Sequence, residues 1–385
     1  MEREVKAILE RALDIELPHS ATGIQPINRG YNNHLFLVDL PVDEICRLHR
    51  ARPPPLPRQP GTVPLPTSTQ KLVVRILKKE LGGLLERVEN EVAALALVRG
   101  PLASIVRVPE VYAWSLGQQP PEDAVPFLVL EYLEANILKS LQSIPLPVAD
   151  TPTAKPFGGF AFTPSGDITT TLHPDGLGGP FASAEAMWLS KLATKLRDAD
   201  TNSIIQGWKT DSGGLRARLD AFIASDTGFQ AILRNVATEP VLVHGDFDFQ
   251  NMLVAPDIHR ITALLDFEFA RIATLPEEFI DGLAGLPSHK CGDSIQDPST
   301  GAPTWPCESL DSAERDDECR IAMAWQESFP VQIPGYTKTR SVCAFLDDIC
   351  PWYFCQAPWR ASHDMPIERR KTEERLDAML AAWGF

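Results

Sequence analysis

The chain has 385 residues, with 36 Lys+Arg against 51 Asp+Glu and a formal net charge of −15. At 44% hydrophobic and 23% charged residues it has ordinary globular composition, enough for one large core or two smaller ones. The acidic balance excludes nucleic acid as a main partner, because neutralising phosphates requires clustered Lys and Arg, and it leaves room for a cationic substrate.

Residues Met1 to Leu17 are charged and amphipathic, with Val5, Ile8, Leu9 and Leu13 at helical spacing. This is not a secretion leader, and no run approaches the ~20 apolar residues of a membrane helix. From Ile24 to Leu40 the pattern is strand, polar turn at Arg29 to Asn33, strand. Residues 51 to 69 hold Pro53, Pro54, Pro55, Pro57, Pro60, Pro64 and Pro66. Each proline removes a ladder donor, so the spacing predicts an extended surface loop. Lys71 to Leu77 is a third strand, β-branched at its centre. Leu84 to Arg99 reads as a helix with Leu84, Leu85, Val88, Val92 and Leu95 on one face, ended by Gly100-Pro101. Glu91 falls at the edge of that face, while Glu86 and Glu89 point away. Strands at Glu110 to Ser115 and Pro126 to Tyr132 complete a sheet-plus-helix lobe ending near Glu134.

Residues 145 to 180 are rich in Pro, Gly and Thr, with a hairpin candidate at Gly159 to Gly166. The 34 prolines of the chain, above the typical ~5%, thus fall in part into two insertions. Helices are expected at Ala182 to Asp200, Gly214 to Asn235 and Ile367 to Trp383, with two short strands between Val241 and Phe269. The seven cysteines include no C-x-x-C and six crowd the last hundred residues, which reads as reduced thiols of a cytoplasmic protein.

The chemistry-bearing stretch is Val241-Leu-Val-His-Gly-Asp-Phe-Asp-Phe-Gln-Asn-Met-Leu-Val254. An apolar triplet delivers His244 and Asp246, and Asn251 follows five positions after the aspartate. A second apolar run, Ile261 to Leu265, delivers Asp266. Phosphoryl transfer needs a carboxylate to take the acceptor proton and oxygen ligands to hold a metal against the phosphates. The H-x-D-x-x-x-x-N spacing is that of a kinase catalytic loop.

Together with Gly30-Tyr-Asn-Asn33, Val73-Val-Arg-Ile76, the helix carrying Glu91, Phe127 to Tyr132 and Leu265-Asp-Phe-Glu-Phe269, these motifs resemble the aminoglycoside phosphotransferase/choline kinase group, in particular its divergent fungal branch. The resemblance spans roughly residues 24 to 282. It implies an α+β, bilobal protein-kinase-like fold. Residues 1–134 would form an N-terminal lobe of antiparallel sheet and one helix, carrying the Pro-rich insert 51–69. Residues 135–385 would form a mainly helical lobe for catalysis and substrate binding.

It also implies ATP and Mg²⁺, with transfer of the γ-phosphoryl group to a hydroxyl of a small-molecule acceptor, a cationic one among the candidates. Asp246 matches the catalytic base, His244 the bracing histidine, and Asn251 and Asp266 the metal ligands. Arg75, Glu91, Gly30, Asn33 and Glu131 match the nucleotide side, the last at the hinge. Arg75 stands where such kinases carry Lys; the competing reading is an exposed arginine on an edge strand. Asp248 receives no role, and Glu268 reads as an outward strand-end carboxylate, with contact to the metal as the alternative. Asp266-Phe-Glu-Phe-Ala270 lacks D-F-G, and no A-P-E follows, which argues against a protein kinase. The alternative from another class is a catalytically inactive kinase-like scaffold. Trp305, Trp325, Trp352 and Trp359, with Asp311, Glu314, Asp316, Asp317 and Glu318, could face a cationic acceptor or form a solvated loop over a core.

Overall fold

The computed structural model describes residues 1–15, 23–27, 33–40, 59–78, 85–103, 107–117, 125–131, 146–147, 156–209, 214–234, 236, 238–248, 251–255, 260–281 and 335–385. In chain order the elements begin with α1 (Glu2–Leu13), β1 (Ile24–Ile27), β2 (Asn33–Asp39), β3 (Lys71–Leu77), α2 (Glu86–Leu102), β4 (Val111–Ser115) and β5 (Phe127–Glu131). They continue with β6 (Gly159–Phe162), β7 (Ile168–Thr171), α3 (Ala184–Thr201), α4 (Leu215–Ala224), α5 (Phe229–Leu233) and β8 (Pro240–Val243). The last are β9 (Met252–Ala255), β10 (Arg260–Leu264), β11 (Arg271–Thr274), α6 (Leu275–Asp281), α7 (Tyr336–Ile349), α8 (Ala357–Ser362) and α9 (Met365–Ala382). The mixed α+β class is as expected. Two compact units result: Met1–Gly176 with Leu242–Ile272, and Leu177–Val241 with Ala273–Phe385. The expected lobe boundary near residue 134 lies outside the described residues. Among the described residues, no helix is long and apolar enough to cross a membrane.

The first unit is built on a five-stranded antiparallel sheet in the order β1-β2-β3-β5-β4. Strand side chains alternate between faces. In β3, Leu72, Val74 and Ile76 go into a core with Val5, Ile8 and Leu9 of α1 and Phe36 and Val38 of β2. The intervening Arg75 therefore points to the other face, towards α2. Helix α1 ends at Asp14, whose left-handed backbone returns N–H groups to the last carbonyls.

Helix α2 differs from expectation in two respects. It runs past Gly100-Pro101 to Leu102, because a proline in the last turn forfeits one helical bond where few remain. It is also buried on several sides, so a single apolar face undercounts its contacts. Glu89, expected to point away, accepts a hydrogen bond from the Phe162 amide at 3.1 Å. The hairpin β6–β7 supplies that amide; its second strand lies at 168–171, beyond the stretch read from sequence. Residues 59–69 of the Pro-rich insert carry no strand, as expected, yet they line β4. Trp114 Nε1 donates to the Pro60 carbonyl at 3.0 Å, Val63 N to the Val111 carbonyl at 2.9 Å, and Val63 and Leu65 pack on the core.

The second unit is mainly helical. Ser183 caps α3 by accepting from Ala186 N, and Asp364 caps α9 by accepting from Ile367 N, both at 3.2 Å. Phe222 centres an aromatic core with Phe229, Phe345, Trp383 and Phe385, the Trp383 ring stacked at 5.0 Å. The helix expected over 214–235 is instead two, α4 and α5. The chain turns so tightly at Gly228 that a Cβ there would lie 1.8 Å from the Phe222 carbonyl oxygen. Between Val241 and Phe269 the structure has three strands, not two, and β11 follows.

Thermal or urea unfolding tests the tight turn. Gly228→Ala is expected to cost roughly 1–3 kcal/mol by overpacking. Gly100→Ala, where nothing lies within 4 Å, is expected to stabilise α2 by roughly 0.5–1 kcal/mol.

Candidate active site

The first unit gathers its charged residues around one arginine. Arg75 sits on the central strand β3 and is 7% exposed, so the edge-strand reading does not hold. Its Nη1 donates to Glu91 Oε1 of α2 at 2.7 Å. Its Nη2 donates to Asp266 Oδ1 and Glu268 Oε2, both at 3.1 Å. Glu268 is itself buried and also accepts from Asn33 Nδ2 at 3.2 Å. Its expected outward orientation is thus corrected: residues 267–269 make one turn of 3₁₀ helix, and this turn carries the side chain inward. Asp266 precedes that turn with φ 63° and ψ 65°, a left-handed backbone that costs a non-glycine residue energy and is found where surroundings over-determine it.

Glu91, Asp266 and Glu268 offer carboxylate oxygens that all lie within 4.8 Å of one another. One guanidinium cannot neutralise three carboxylates. Burial opposes the Arg75 charge, but the three anions outweigh it and hold the arginine firmly protonated. Burial pushes the Glu91 carboxyl up; Arg75 pulls it down, and Asp266 and Glu268 push it further up. Arg75, Glu91, Glu268 and Asn33 also line a small cleft whose apolar wall includes Val88 and Phe127.

The second half of the site is the turn between β8 and β9. His244 Nε2 is hydrogen-bonded to the Leu265 carbonyl at 2.9 Å, and Asp246 N donates to His244 Nδ1 at 3.3 Å. Those partners assign the proton to Nε2. Burial pushes the imidazole down to about 4, against its two backbone hydrogen bonds, so it is neutral and braces the loop. Leu265 N in turn donates to the Asn251 carbonyl at 2.9 Å, which sets Asp266 relative to the loop. Between His244 and Asp246 the chain takes φ 79° at Gly245, where a Cβ would meet the Phe269 carbonyl at 2.4 Å. Glycine is required there on both counts. Asn251 Nδ2 donates at 2.8 Å to the Asp246 carbonyl and to its Oδ2. Burial pushes the Asp246 carboxyl up to about 6; the Asn251 bond opposes this, and Asp266, Asp248 and Glu268 add to it.

Among the residues singled out from sequence, Asn33, Arg75, Glu91 and Asp266 meet in one cluster, and His244, Asp246 and Asn251 in the adjoining loop. Glu131 does not join the cluster. It pairs across the sheet with Leu72, three positions from the Arg75–Leu128 pairing, and forms an ion pair with Arg107. Gly30, Trp305, Trp325 and the acidic run 311–318 lie outside the described residues. Trp359 packs on Tyr353 and His363 in the second unit.

Sequence reasoning missed Asn90. Its Nδ2 donates to the Glu268 and Ala270 carbonyls at 3.1 and 2.8 Å, and its Oδ1 accepts from Phe160 N at 2.5 Å. This buried amide joins α2, the turn after Asp266 and the hairpin β6–β7. Flanked by Glu89 and Glu91, it carries no local signal that separates it from a solvent-facing residue.

Residues 176–291 match the phosphotransferase enzyme family. The match covers the segment with His244, Asp246, Asn251 and Asp266, and it agrees with the resemblance read from the motifs. No curated protein matches the chain. Among solved structures, a thermostable mutant of aminoglycoside phosphotransferase APH(4)-Ia, in ternary complex with AMP-PNP and hygromycin B, is 12% identical, with 98% of each chain covered and a TM-score of 0.47. Plasmodium vivax ethanolamine kinase is 12% identical over 99% of this chain and 87% of its own, with a TM-score of 0.45. Macrolide 2'-phosphotransferase MphH from Brachybacterium faecium is 13% identical over 93% and 95%, with a TM-score of 0.41.

Two substitutions test the cluster by urea unfolding. Arg75→Met strands three carboxylates and is expected to cost roughly 3–5 kcal/mol; adding Glu91→Gln recovers part of that loss. Asn90→Leu leaves one N–H and two carbonyls without their partner, for an expected loss of roughly 2–4 kcal/mol.

Proposed function

We propose that the chain is an ATP- and Mg²⁺-dependent phosphotransferase that moves the γ-phosphoryl group to a hydroxyl of a small molecule. The observation that carries this reading is the Asp246 carboxyl. It is held at 2.8 Å by Asn251 and raised to about 6 by burial and by the neighbouring charges of Asp266, Asp248 and Glu268. A carboxylate so tuned can accept a proton near neutral pH. The family match over residues 176–291 supports the same class of reaction.

In this reading Asp246 orients the acceptor hydroxyl and takes its proton as the oxygen attacks the γ-phosphorus and the bond to the β-phosphate breaks. Asp266 and the amide oxygen of Asn251 would hold Mg²⁺, since both offer the hard oxygen donors that ion takes. Bound there, the metal supplies neutralisation of the phosphate charge. Glu91 fixes the Arg75 fork at 2.7 Å, and Arg75 serves where related kinases use lysine to hold phosphate. His244 keeps the loop in register through its two backbone hydrogen bonds. Gly30, Asn33 and Glu131 belong to the nucleotide side. Hydroxylated amines and sugars are the acceptors to screen, and the net charge of −15 does not choose among them.

The test is ATP consumption over a panel of hydroxylated amines and sugars, with wild type and Asp246→Asn compared. The variant is expected to fold, bind Mg-ATP and lose roughly 10²–10⁴-fold in turnover. Because the base must be ionised, wild-type kcat/KM is expected to fall as pH drops through about 6. Equal consumption by both proteins would support the inactive scaffold instead.

A further inference from the structure

Asn90 stands one position before Glu91 on α2 and is 2% exposed. Both protons of its amide are engaged just after Asp266, since Nδ2 donates to the Glu268 carbonyl at 3.1 Å and the Ala270 carbonyl at 2.8 Å. Its Oδ1 accepts from Phe160 N of hairpin β6–β7 at 2.5 Å. Arg87, three positions earlier and so on the same side of the helix, joins the same two segments. Its guanidinium stands 4.4 Å over the Phe269 ring, and its Nε donates to the Pro174 carbonyl at 3.0 Å. Gly158 and Ile272 join the segments directly, exchanging backbone hydrogen bonds at 3.2 and 2.8 Å.

These ties converge on the backbone that leaves Asp266. That residue is left-handed at φ 63°, a conformation that persists only where its surroundings over-determine it. On the entry side, Leu265 N is held by the Asn251 carbonyl at 2.9 Å. On the exit side, Ala270 N closes the turn onto the Phe267 carbonyl at 3.0 Å. The carbonyls two and four positions beyond Asp266 then end on Asn90. A carboxylate that takes a metal must be aimed, and the outer partners that aim it matter nearly as much as the ligand itself.

We propose that Asn90 is a positioning residue for phosphoryl transfer. Through the turn 267–270, and with hairpin β6–β7 as its backing, it holds the Asp266 carboxylate where the metal is taken up. The inference rests on the proposed function, in which Asp266 holds Mg²⁺. Asn90 acts through two backbone carbonyls, so its loss weakens metal uptake without removing a metal ligand.

The experiment titrates Mn²⁺ onto the full-length chain with AMP-PNP present and reads the bound ion by water-proton relaxation. Wild type, Asn90→Ser, Asp266→Asn and Gly228→Ala are compared, the last as a destabilised control placed in the second unit. Each is titrated where circular dichroism shows it folded, so loss of stability does not enter the reading. Asn90→Ser and Asp266→Asn are each expected to bind Mn²⁺ roughly 10–100-fold more weakly than wild type. Gly228→Ala is expected to bind as wild type does. Wild-type affinity in Asn90→Ser beside a weakened Asp266→Asn would overturn this inference and leave the metal assignment standing, as would a Gly228→Ala weakened equally. Wild-type affinity in Asp266→Asn would overturn the assignment, and this inference with it. If Asn90→Ser does not fold, Gly159→Ala decides, because its Cβ would stand 2.5 Å from Asn90 Oδ1 and displace the amide without removing it. Weakened Mn²⁺ binding by that variant supports the proposal, and unchanged binding overturns it.

Discussion

Arg75 is a guanidinium buried in the first unit with three carboxylates from two other segments around it. Desolvating such charges is expensive, and the cost is offset only when donor and acceptor geometry is satisfied on every side. The ion cluster therefore constrains more than itself. It fixes α2 through Glu91, the turn after β10 through Asp266 and Glu268, and the start of β2 through Asn33. The strand alternation of β3 makes this possible. Leu72, Val74 and Ile76 anchor one face in the α1 core, so Arg75 has no choice of side.

Charge satisfaction and chemical readiness are divided between neighbouring parts of the unit. The Arg75 cluster and the Asn90 amide are tightly bonded and serve position. Asp246 is held more lightly, by one side-chain amide, and is partly exposed to the solvent from which an acceptor would come. Its elevated pKa follows from that placement: it is buried enough to resist ionisation, with the negative charges of Asp266 and Glu268 nearby and no cation of its own. His244 is the opposite case, a histidine buried so fully that it no longer titrates near neutral pH.

Local grammar made much of this readable in advance. The five strands of the main sheet, α2, α3 and α9 follow from hydrophobic period, turn residues and caps, which act over a few residues and survive in any context. Reading failed where a distant contact overrode the local signal. Glu89 and Glu268 look like solvent-facing carboxylates until the Phe162 amide and Arg75 are brought to them. The break at Gly228 depends on a carbonyl from the preceding helix, and residues 59–69 of the Pro-rich insert line β4 through the partners that Trp114 and Val111 offer.

By itself the sequence determined which residue types could carry the chemistry, because His244, Asp246, Asn251 and Asp266 lie at spacings set by one turn and two short strands. It also placed Arg75 at the centre of a β-branched strand. Tertiary structure decided what that arginine does. A side chain's partners depend on segments far away in the chain, here Glu91 at 16 positions and Asp266 at 191. Only folding removes the water that would otherwise make those charges nearly indifferent to one another.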